Sequence, residues 1–106
     1  MADRDTVFFE IRAERERQVR EESFTAEHDD KHTAAELARA AACYTLEASS
    51  VNIDGIDGLP VFWPRSWLAR WWKPAKEPRR NLVKAAALIA AEIERLDRAE
   101  ARERQS

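Results

Sequence analysis

The chain has 106 residues, which is enough for about one small domain. Charged residues make up 36% of it, and the net charge is −2, so overall charge predicts neither a binder of duplex nucleic acid nor a membrane protein. No stretch approaches the roughly 20 apolar residues of a membrane span, and no apolar signal segment follows the first residues, which predicts a cytosolic protein. A single cysteine, Cys43, excludes an internal disulfide framework.

The sequence opens with a helical pattern over about residues 5–22. One face of this helix can carry four apolar residues, and the rest is rich in arginine and glutamate, which is typical of a solvated surface with ion pairs between turns. A polar turn, residues 23–32, follows and contains the acidic, histidine-bearing string from Glu27 to His32. The apolar face is predicted to hold Val7, Phe8, Ile11 and Val19.

A second helix is predicted over about residues 34–48. Its start resembles a capping box, in which the Thr33 hydroxyl accepts a backbone N–H of the first turn and Glu36 reaches back. Its apolar face is rich in alanine, which permits close approach by another helix, and Cys43 fits there as a small buried residue. That face is predicted to hold Leu37, Ala40, Ala41 and Tyr44.

The helical pattern breaks between residues 49 and 64, where glycine, proline, aspartate and asparagine are frequent. A short helix is predicted from Pro64 to Trp72, and a proline-bracketed connector follows it. The last helix is predicted over roughly residues 79–100, and residues 97–106 form a charged tail that should fray. A spacing of three and four residues predicts its core stripe, which consists of Leu82, Ala86, Ile89, Ile93 and Leu96.

These elements predict an all-α fold for a single domain over residues 1–106. The expected architecture is a small bundle of three principal helices with an irregular, tryptophan-rich crossover. Three helices with alanine-rich faces leave a small core, and association would bury the apolar surface that remains. We therefore expect a homodimer or a higher homo-oligomer.

The most unusual segment is residues 63–84. It holds all four tryptophans, and it has seven basic residues against a single acidic one in a chain that is acidic overall. Arg79 and Arg80 fall in the first turn of the last helix, where the helix dipole disfavours cations but backbone N–H groups and guanidinium groups suit a phosphate. Indole rings nearby can stack on a base. The alternative is structural: the tryptophans form the core, and the basic residues pair with the acidic first helix.

Two further clusters carry side chains suited to chemistry. The string from His28 to His32, with Glu36 nearby, can bind a divalent metal or contact ribose hydroxyls, or it can simply cap the second helix. Glu94 and Asp97 stand three residues apart on one helical face. Paired with Glu36 they could hold Mg²⁺, and a solvated helix face is the alternative.

Six strings along the chain form a distinctive series. They are Ile11–Gln18, Phe24–Asp30, Glu36–Tyr44, Trp72–Pro74, Arg79–Ala85 and Glu92–Arg98. Together they resemble a family of small phage and prophage proteins of unassigned function, and the likeness covers most of the chain except residues 48–61. The resemblance implies a bacterial host cytosol and a phage-encoded accessory role. Small phage proteins of this kind include anti-defence proteins that sequester nucleotide immune signals.

A weaker resemblance rests on Glu94 and Asp97. It is to the MazG-like all-α nucleotide pyrophosphohydrolases, which hold Mg²⁺ between an E-x-x-D pair and an E-x-x-E pair on another helix. In this chain Thr33, not glutamate, stands three residues before Glu36, so the second pair is incomplete. This resemblance implies Mg²⁺-dependent hydrolysis of a nucleotide.

The leading hypothesis is a phage-encoded, non-enzymatic protein that sequesters a phosphorylated, nucleotide-like ligand and needs no cofactor. The first alternative is a MazG-like hydrolase using Mg²⁺ on Glu36, Glu94 and Asp97, and the second is a module whose tryptophans bind a host protein. In the leading hypothesis the phosphate is held by Arg79, Arg80, Lys84 and Lys73. The base stacks on Trp71, Trp72 or Tyr44. Polar edges of the ligand meet His28, Asp29, Asp30 and His32.

Overall fold

A computed structural model describes residues 3–106, which form a helical bundle without a β-strand. The bundle consists of α1 (Arg4–Glu22), α2 (Ala26–Asp30), α3 (Glu36–Ala48) and α4 (Pro78–Gln105), with a 3-10 turn at Ala69–Trp71. An isolated antiparallel bridge joins Asp54 and Pro60 in the connection between α3 and α4. The predicted all-α class is confirmed, with α1, α3 and α4 as the long helices. Within the described range, each helix is too short or too polar to cross a membrane.

α1 packs through only part of the predicted face, because Val7 and Ile11 are half-buried but the other two predicted residues are exposed. It starts where the Asp3 carboxylate accepts a backbone N–H of the first turn. Phe8 and Val19, assigned to the apolar face from the sequence, are exposed, Phe8 by 62%. The helix instead buries Glu14 and Gln18, which lie one turn apart on the side that meets α4. The face of α1 that packs in the bundle is therefore polar at its centre.

The connection between α1 and α3 is more ordered than predicted. The segment interpreted as a polar turn contains α2, because the Thr25 hydroxyl accepts the backbone N–H of His28 and caps this short helix. The predicted capping box of α3 is wrong, since Ala35 occupies the N-cap position in the left-handed conformation without a side-chain cap. The Glu36 carboxylate accepts the N–H of Ala34 at 2.7 Å and fixes this turn instead.

The hydrophobic core lies between α3 and α4, and the tryptophan segment packs into it. Cys43 is completely buried there, as predicted for a small apolar residue. Trp63 and Trp67 are buried, whereas Trp71 and Trp72 are half-buried against the same cluster. All four tryptophans therefore pack in or against the core, as the structural alternative expects. Trp71 and Trp72 also keep some accessible surface.

The helix predicted over residues 64–72 is wrong. The structure shows only the 3-10 turn at Ala69–Trp71. The indole rings pack edge to face, with ring centroids 5.5 Å apart for Trp63 and Trp67 and 5.3 Å apart for Trp67 and Trp71. This packing holds the segment in an irregular path across the core.

α4 also presents a different face to the bundle from the one predicted. The stripe assigned to the core is exposed at its four large residues, and Ile93 reaches 54%. The face that packs is built around Leu88 with alanines beside it, because small side chains let the axes of neighbouring helices approach closely. α4 also continues to Gln105, past the predicted end at residue 100.

Candidate functional site

A buried carboxylate, Glu14, organises the charges between α1 and α4. Its oxygens accept two hydrogen bonds of 2.8 Å from Arg17, and Arg80 of α4 pairs with it as well. Gln18 donates its amide N–H to the same carboxylate at 3.1 Å. Burial alone would raise the pKa of Glu14, but the hydrogen bonds and charges of Arg17 and Arg80 outweigh burial and hold that pKa below its usual range. Glu14 is therefore ionised at neutral pH, and its charge is matched from two helices.

Beside Glu14 lies a small enclosed space, which we call the inner cavity. It has a volume of about 10 Å³, roughly the room for one water-sized group. Two of its wall residues carry a buried polar atom with no hydrogen-bond partner among the described residues: Gln18 Oε1, an acceptor, and Trp63 Nε1, a donor. The inner cavity therefore suits a small group that both donates and accepts. Its aromatic walls are Phe24, Tyr44, Trp63, Trp67 and Trp71.

Tyr44 joins the wall of the inner cavity to the tryptophan segment. Its hydroxyl donates to the Trp71 carbonyl at 3.3 Å and accepts the backbone N–H of Lys73 at 3.1 Å. Lys84 Nζ donates to the Lys73 carbonyl at 2.6 Å and lies 5.7 Å from the centroid of the Tyr44 ring. Burial lowers the pKa of Lys84 and raises the pKa of Tyr44 to about 12. An anion bound beside Lys84 would offset the effect of burial on this ammonium group.

Trp71 also borders an open cleft of about 380 Å³, which we call the outer cleft. This volume falls in the range of small-molecule pockets. Arg70 and Lys73 line it, and Lys73 Nζ pairs with Glu22 at 3.2 Å. Glu22 and Trp71 line both spaces, so the inner cavity and the outer cleft are neighbours that share part of their walls. We refer to the two together as the Trp71 site.

The two histidines belong to a second polar cluster, a hydrogen-bonded chain that starts in the core. Trp67 Nε1 donates to His32 Nδ1 at 3.2 Å, and the Nε2 atoms of His32 and His28 lie 3.1 Å apart. His28 Nδ1 is 3.0 Å from Asp29, whose other oxygen accepts from Arg15 at 2.9 Å. An indole N–H only donates, so His32 Nδ1 accepts, and in the neutral rings the protons sit on His32 Nε2 and His28 Nδ1.

Asp29 is the buried end of this histidine chain. Its side chain is completely shielded from solvent, and burial raises its pKa, although the His28 hydrogen bond and the Arg15 charge act in the opposite direction. His28 stands edge to face with Trp71, with ring centroids 5.6 Å apart. The histidine chain therefore reaches the Trp71 site. Asp30 lies outside it and forms surface ion pairs with Arg98 and Arg102.

The arginines predicted to hold a phosphate are both paired with α1. Arg79 binds the Glu10 carboxylate through two nitrogens, at 2.6 and 2.7 Å, and Arg80 pairs with Glu14. These are the ion pairs that the structural alternative expects, and they offset the unfavourable placement of cations at a helix N-terminus. A phosphate-binding role for the two arginines stays a prediction. The predicted residues that the structure brings together at the Trp71 site are Tyr44, Trp71, Lys73 and Lys84, with Trp72 packed on Tyr44.

The carboxylates of the alternative Mg²⁺ site have separate partners. Glu36 accepts from Ala34 and lies 3.4 Å from His32, whereas Glu94 pairs with Arg15 at 3.5 Å. Asp97 is exposed on α4. Over residues 3–106 there is no group of three or more His, Cys, Asp or Glu side chains arranged to hold a metal ion.

Comparisons of the chain with protein-family models, with curated proteins and with solved structures gave no match. No relative therefore supplies a ligand, an activity or a catalytic residue. The Trp71 site is defined by its own distances, burial and charges.

Sequence reasoning missed part of the Trp71 site. Glu14 and Gln18 continue the helical spacing of Val7 and Ile11, so their place on the inward face of α1 was visible in the periodicity. Polar residues on such a stripe indicate a buried polar contact, because they are rarely buried without a partner. The residues that sequence reasoning missed are Glu14 and Arg17, whereas Gln18 and the segment with Trp63, Trp67 and Arg70 stood out in the sequence without being assigned to the ligand.

Proposed function

We propose that the protein binds a small phosphorylated, nucleotide-like molecule at the Trp71 site and sequesters it without changing it chemically. The observation that carries the proposal is the basic outer cleft next to the inner cavity, where two wall residues, Gln18 and Trp63, each hold a buried polar atom without a partner among the described residues. A buried donor or acceptor without a partner costs free energy, which a ligand recovers when one of its polar groups reaches that atom. The rest of the ligand would lie in the larger outer cleft.

The charge around the Trp71 site favours an anionic ligand. Four basic side chains line the site against three carboxylates, and a fifth, Arg80, pairs with one of those carboxylates, in a chain whose net charge is −2. Guanidinium and ammonium groups donate charge-assisted hydrogen bonds to phosphate oxygens. The basic side chains are Arg17, Arg70, Lys73, Lys84 and, through its pair with Glu14, Arg80, and the carboxylates are Glu14, Glu21 and Glu22.

The aromatic side chains favour a ligand with a flat ring. Trp71 and Trp72 are half-buried, so each indole keeps accessible surface next to Lys73. Stacking of a base on such a ring contributes about 1–3 kcal/mol. In this proposal Lys73, Lys84 and Arg70 contact the phosphate, and Arg79 keeps its ion pair with Glu10. The resemblance to small phage and prophage proteins supports a sequestering, anti-defence role in a bacterial cytosol.

The proposal is tested with ADP as the probe. The purified full chain is dialysed against ADP with Mg²⁺ and, in parallel, with EDTA, and then denatured by heat. We expect ADP to be retained and returned intact, and adenosine to bind more weakly because it lacks phosphate. Mg²⁺-dependent release of AMP would contradict sequestration and support the MazG-like alternative. Failure to retain ADP, together with no retained small molecule in native mass spectrometry of protein from bacterial cells, would contradict the binding function.

Replacing Lys84 by methionine is expected to weaken ADP binding about tenfold to a hundredfold. The variant keeps most of the packing of the lysine stem but removes a charge-assisted hydrogen bond, which contributes about 1.5–3 kcal/mol. Calorimetric titration measures the change. Lys76→Met is the matched control, because Lys76 lines a different hollow, next to Pro78, and its loss should leave the affinity unchanged. Equal weakening in the two variants would contradict a site at Lys84.

A further inference from the structure

The exposed face of α4 carries a continuous apolar stripe. Its members recur at intervals of four and three residues, which is the spacing of a coiled-coil seam. Over residues 82–96 the stripe is about 21 Å long at about 1.5 Å per residue. Its large members are all exposed, although the packing face of the same helix includes three alanines among its eight buried residues. The stripe consists of Leu82, Ala86, Ile89, Ile93 and Leu96.

Charged residues of opposite sign flank the stripe at its two ends. At the same spacing, Arg79 precedes Leu82, and Glu100 and Glu103 follow Leu96. Arg79 stays half exposed even while it pairs with Glu10, and both glutamates are exposed, Glu100 while it pairs with Arg104 within α4. A second copy in parallel would place like charges together, whereas an antiparallel copy places Arg79 opposite the glutamates. The stripe is therefore complementary to itself in one orientation.

We propose that two copies of the chain pair through antiparallel α4 helices and bury this stripe in a two-fold symmetric interface. A two-fold axis near the middle of the stripe brings the same patch of each copy into contact, as isologous dimers require. Arg80 and Lys84 face α1 and the tryptophan segment through their contacts with Glu14 and Lys73. The Trp71 site thus stays open in the dimer, and the interface does not depend on the proposed ligand.

Sedimentation velocity of the full chain at micromolar concentration tests the pairing. We expect a mass of twice 12.2 kDa for the wild-type protein. Ile93→Glu should weaken the dimer by at least about a hundredfold, because an unpaired carboxylate would be buried against apolar side chains. Its circular dichroism should be unchanged, since Ile93 is exposed in the single chain. Ile56→Glu makes the same change at a fully exposed loop position and should leave the dimer intact.

Two outcomes of sedimentation would overturn the pairing. A wild-type mass of 12.2 kDa would show that a second copy does not cover the stripe. A dimer that survives Ile93→Glu would place the interface elsewhere on the surface.

A spin label on an introduced cysteine near the end of α4 tests the orientation. The native Cys43 is completely buried, so labelling is directed to the introduced thiol. The label is placed at Gln105→Cys, because Gln105 is exposed and uncharged and the variant keeps both glutamates. In the antiparallel dimer the two labels should lie at least about 35 Å apart, because most of the length of α4 separates them. In a parallel pair they would lie within roughly 10–15 Å, close to the distance between packed helix axes. A short distance would overturn the antiparallel arrangement.

Discussion

Replacing Glu14 by alanine is expected to lower the free energy of unfolding by about 3 kcal/mol. Removing one partner of a buried ion pair costs about 3–5 kcal/mol, and here Arg17, Arg80 and the Gln18 amide all lose their shared acceptor. The lower end of the range applies because the side chains of Arg17 and Arg80 are 25% and 40% exposed and can turn toward solvent. Urea unfolding, with the midpoint and slope fitted together, measures the loss.

Glu10 offers a matched control one turn earlier on α1. Its carboxylate also binds an arginine of α4, Arg79, through two short hydrogen bonds, but this pair lies at the surface. Exposed ion pairs contribute little, because water and salt screen them. Glu10→Ala should therefore leave the Tm close to that of the wild-type protein. If Glu10→Ala and Glu14→Ala lower the stability of the protein by similar amounts, the role assigned to the burial of Glu14 is contradicted.

The buried Glu14 also makes the fold sensitive to acid. Its pKa is depressed in the folded protein from the ordinary value of 4.5, to which it returns on unfolding. A depressed folded pKa stabilises the protein above the unfolded value, and this contribution disappears as the pH falls from 4.5 through the folded pKa. Glu14→Gln removes the titrating group, so its Tm should fall less steeply below pH 4.5 than that of the wild-type protein. If the Tm of the wild-type protein and of Glu14→Gln falls equally steeply with pH, Glu14 is not the group that makes the fold sensitive to acid.

The all-α class and the three long helices follow from local sequence, because composition and periodicity act within each helix. The buried face of α4 does not follow from the same information. Its stripe from Leu82 to Leu96 is the more apolar face, and hydropathy alone assigns it to the core. In the folded chain the alanine face packs instead, because α3 also presents small residues and the two axes can come close.

The Trp71 site was partly visible in the sequence. Trp71, Lys73 and Lys84 stand out because they lie in a basic, tryptophan-rich segment. The periodicity of α1 also places Glu14 on its inward face, but one of the charges that match it comes from Arg80, which lies 66 positions away. Periodicity marks which residues of a helix share a face, but the partner of a buried charge is fixed only when two distant helices meet.

Asp29→Ala is expected to lower the free energy of unfolding by about 3–5 kcal/mol. Its carboxylate is completely buried and accepts from both Arg15 and His28, so alanine leaves a nearly buried guanidinium group with only the Phe24 carbonyl and a long contact to the exposed Glu94. Burial raises the pKa of Asp29, so ionisation of this carboxyl is less favourable in the folded protein than in the unfolded chain, and stability falls as the pH rises from the ordinary value of 3.8 through the folded pKa. Asp29→Asn, which is neutral and keeps an acceptor oxygen, should therefore be more stable than Asp29→Ala.

The neighbouring Asp30 provides the control for Asp29. It has the same side chain and two ion pairs, with Arg98 and Arg102, but 28% of its side chain is exposed. Alanine at Asp30 should cost less than about 1 kcal/mol, because pairs at the surface are weak. Urea unfolding at neutral pH measures the free energy of unfolding of Asp29→Ala, Asp29→Asn and Asp30→Ala. A loss at Asp29 as small as the one expected at Asp30 would show that the histidine chain does not stabilise the fold. An asparagine variant as unstable as the alanine variant would show that Asp29 must carry its charge.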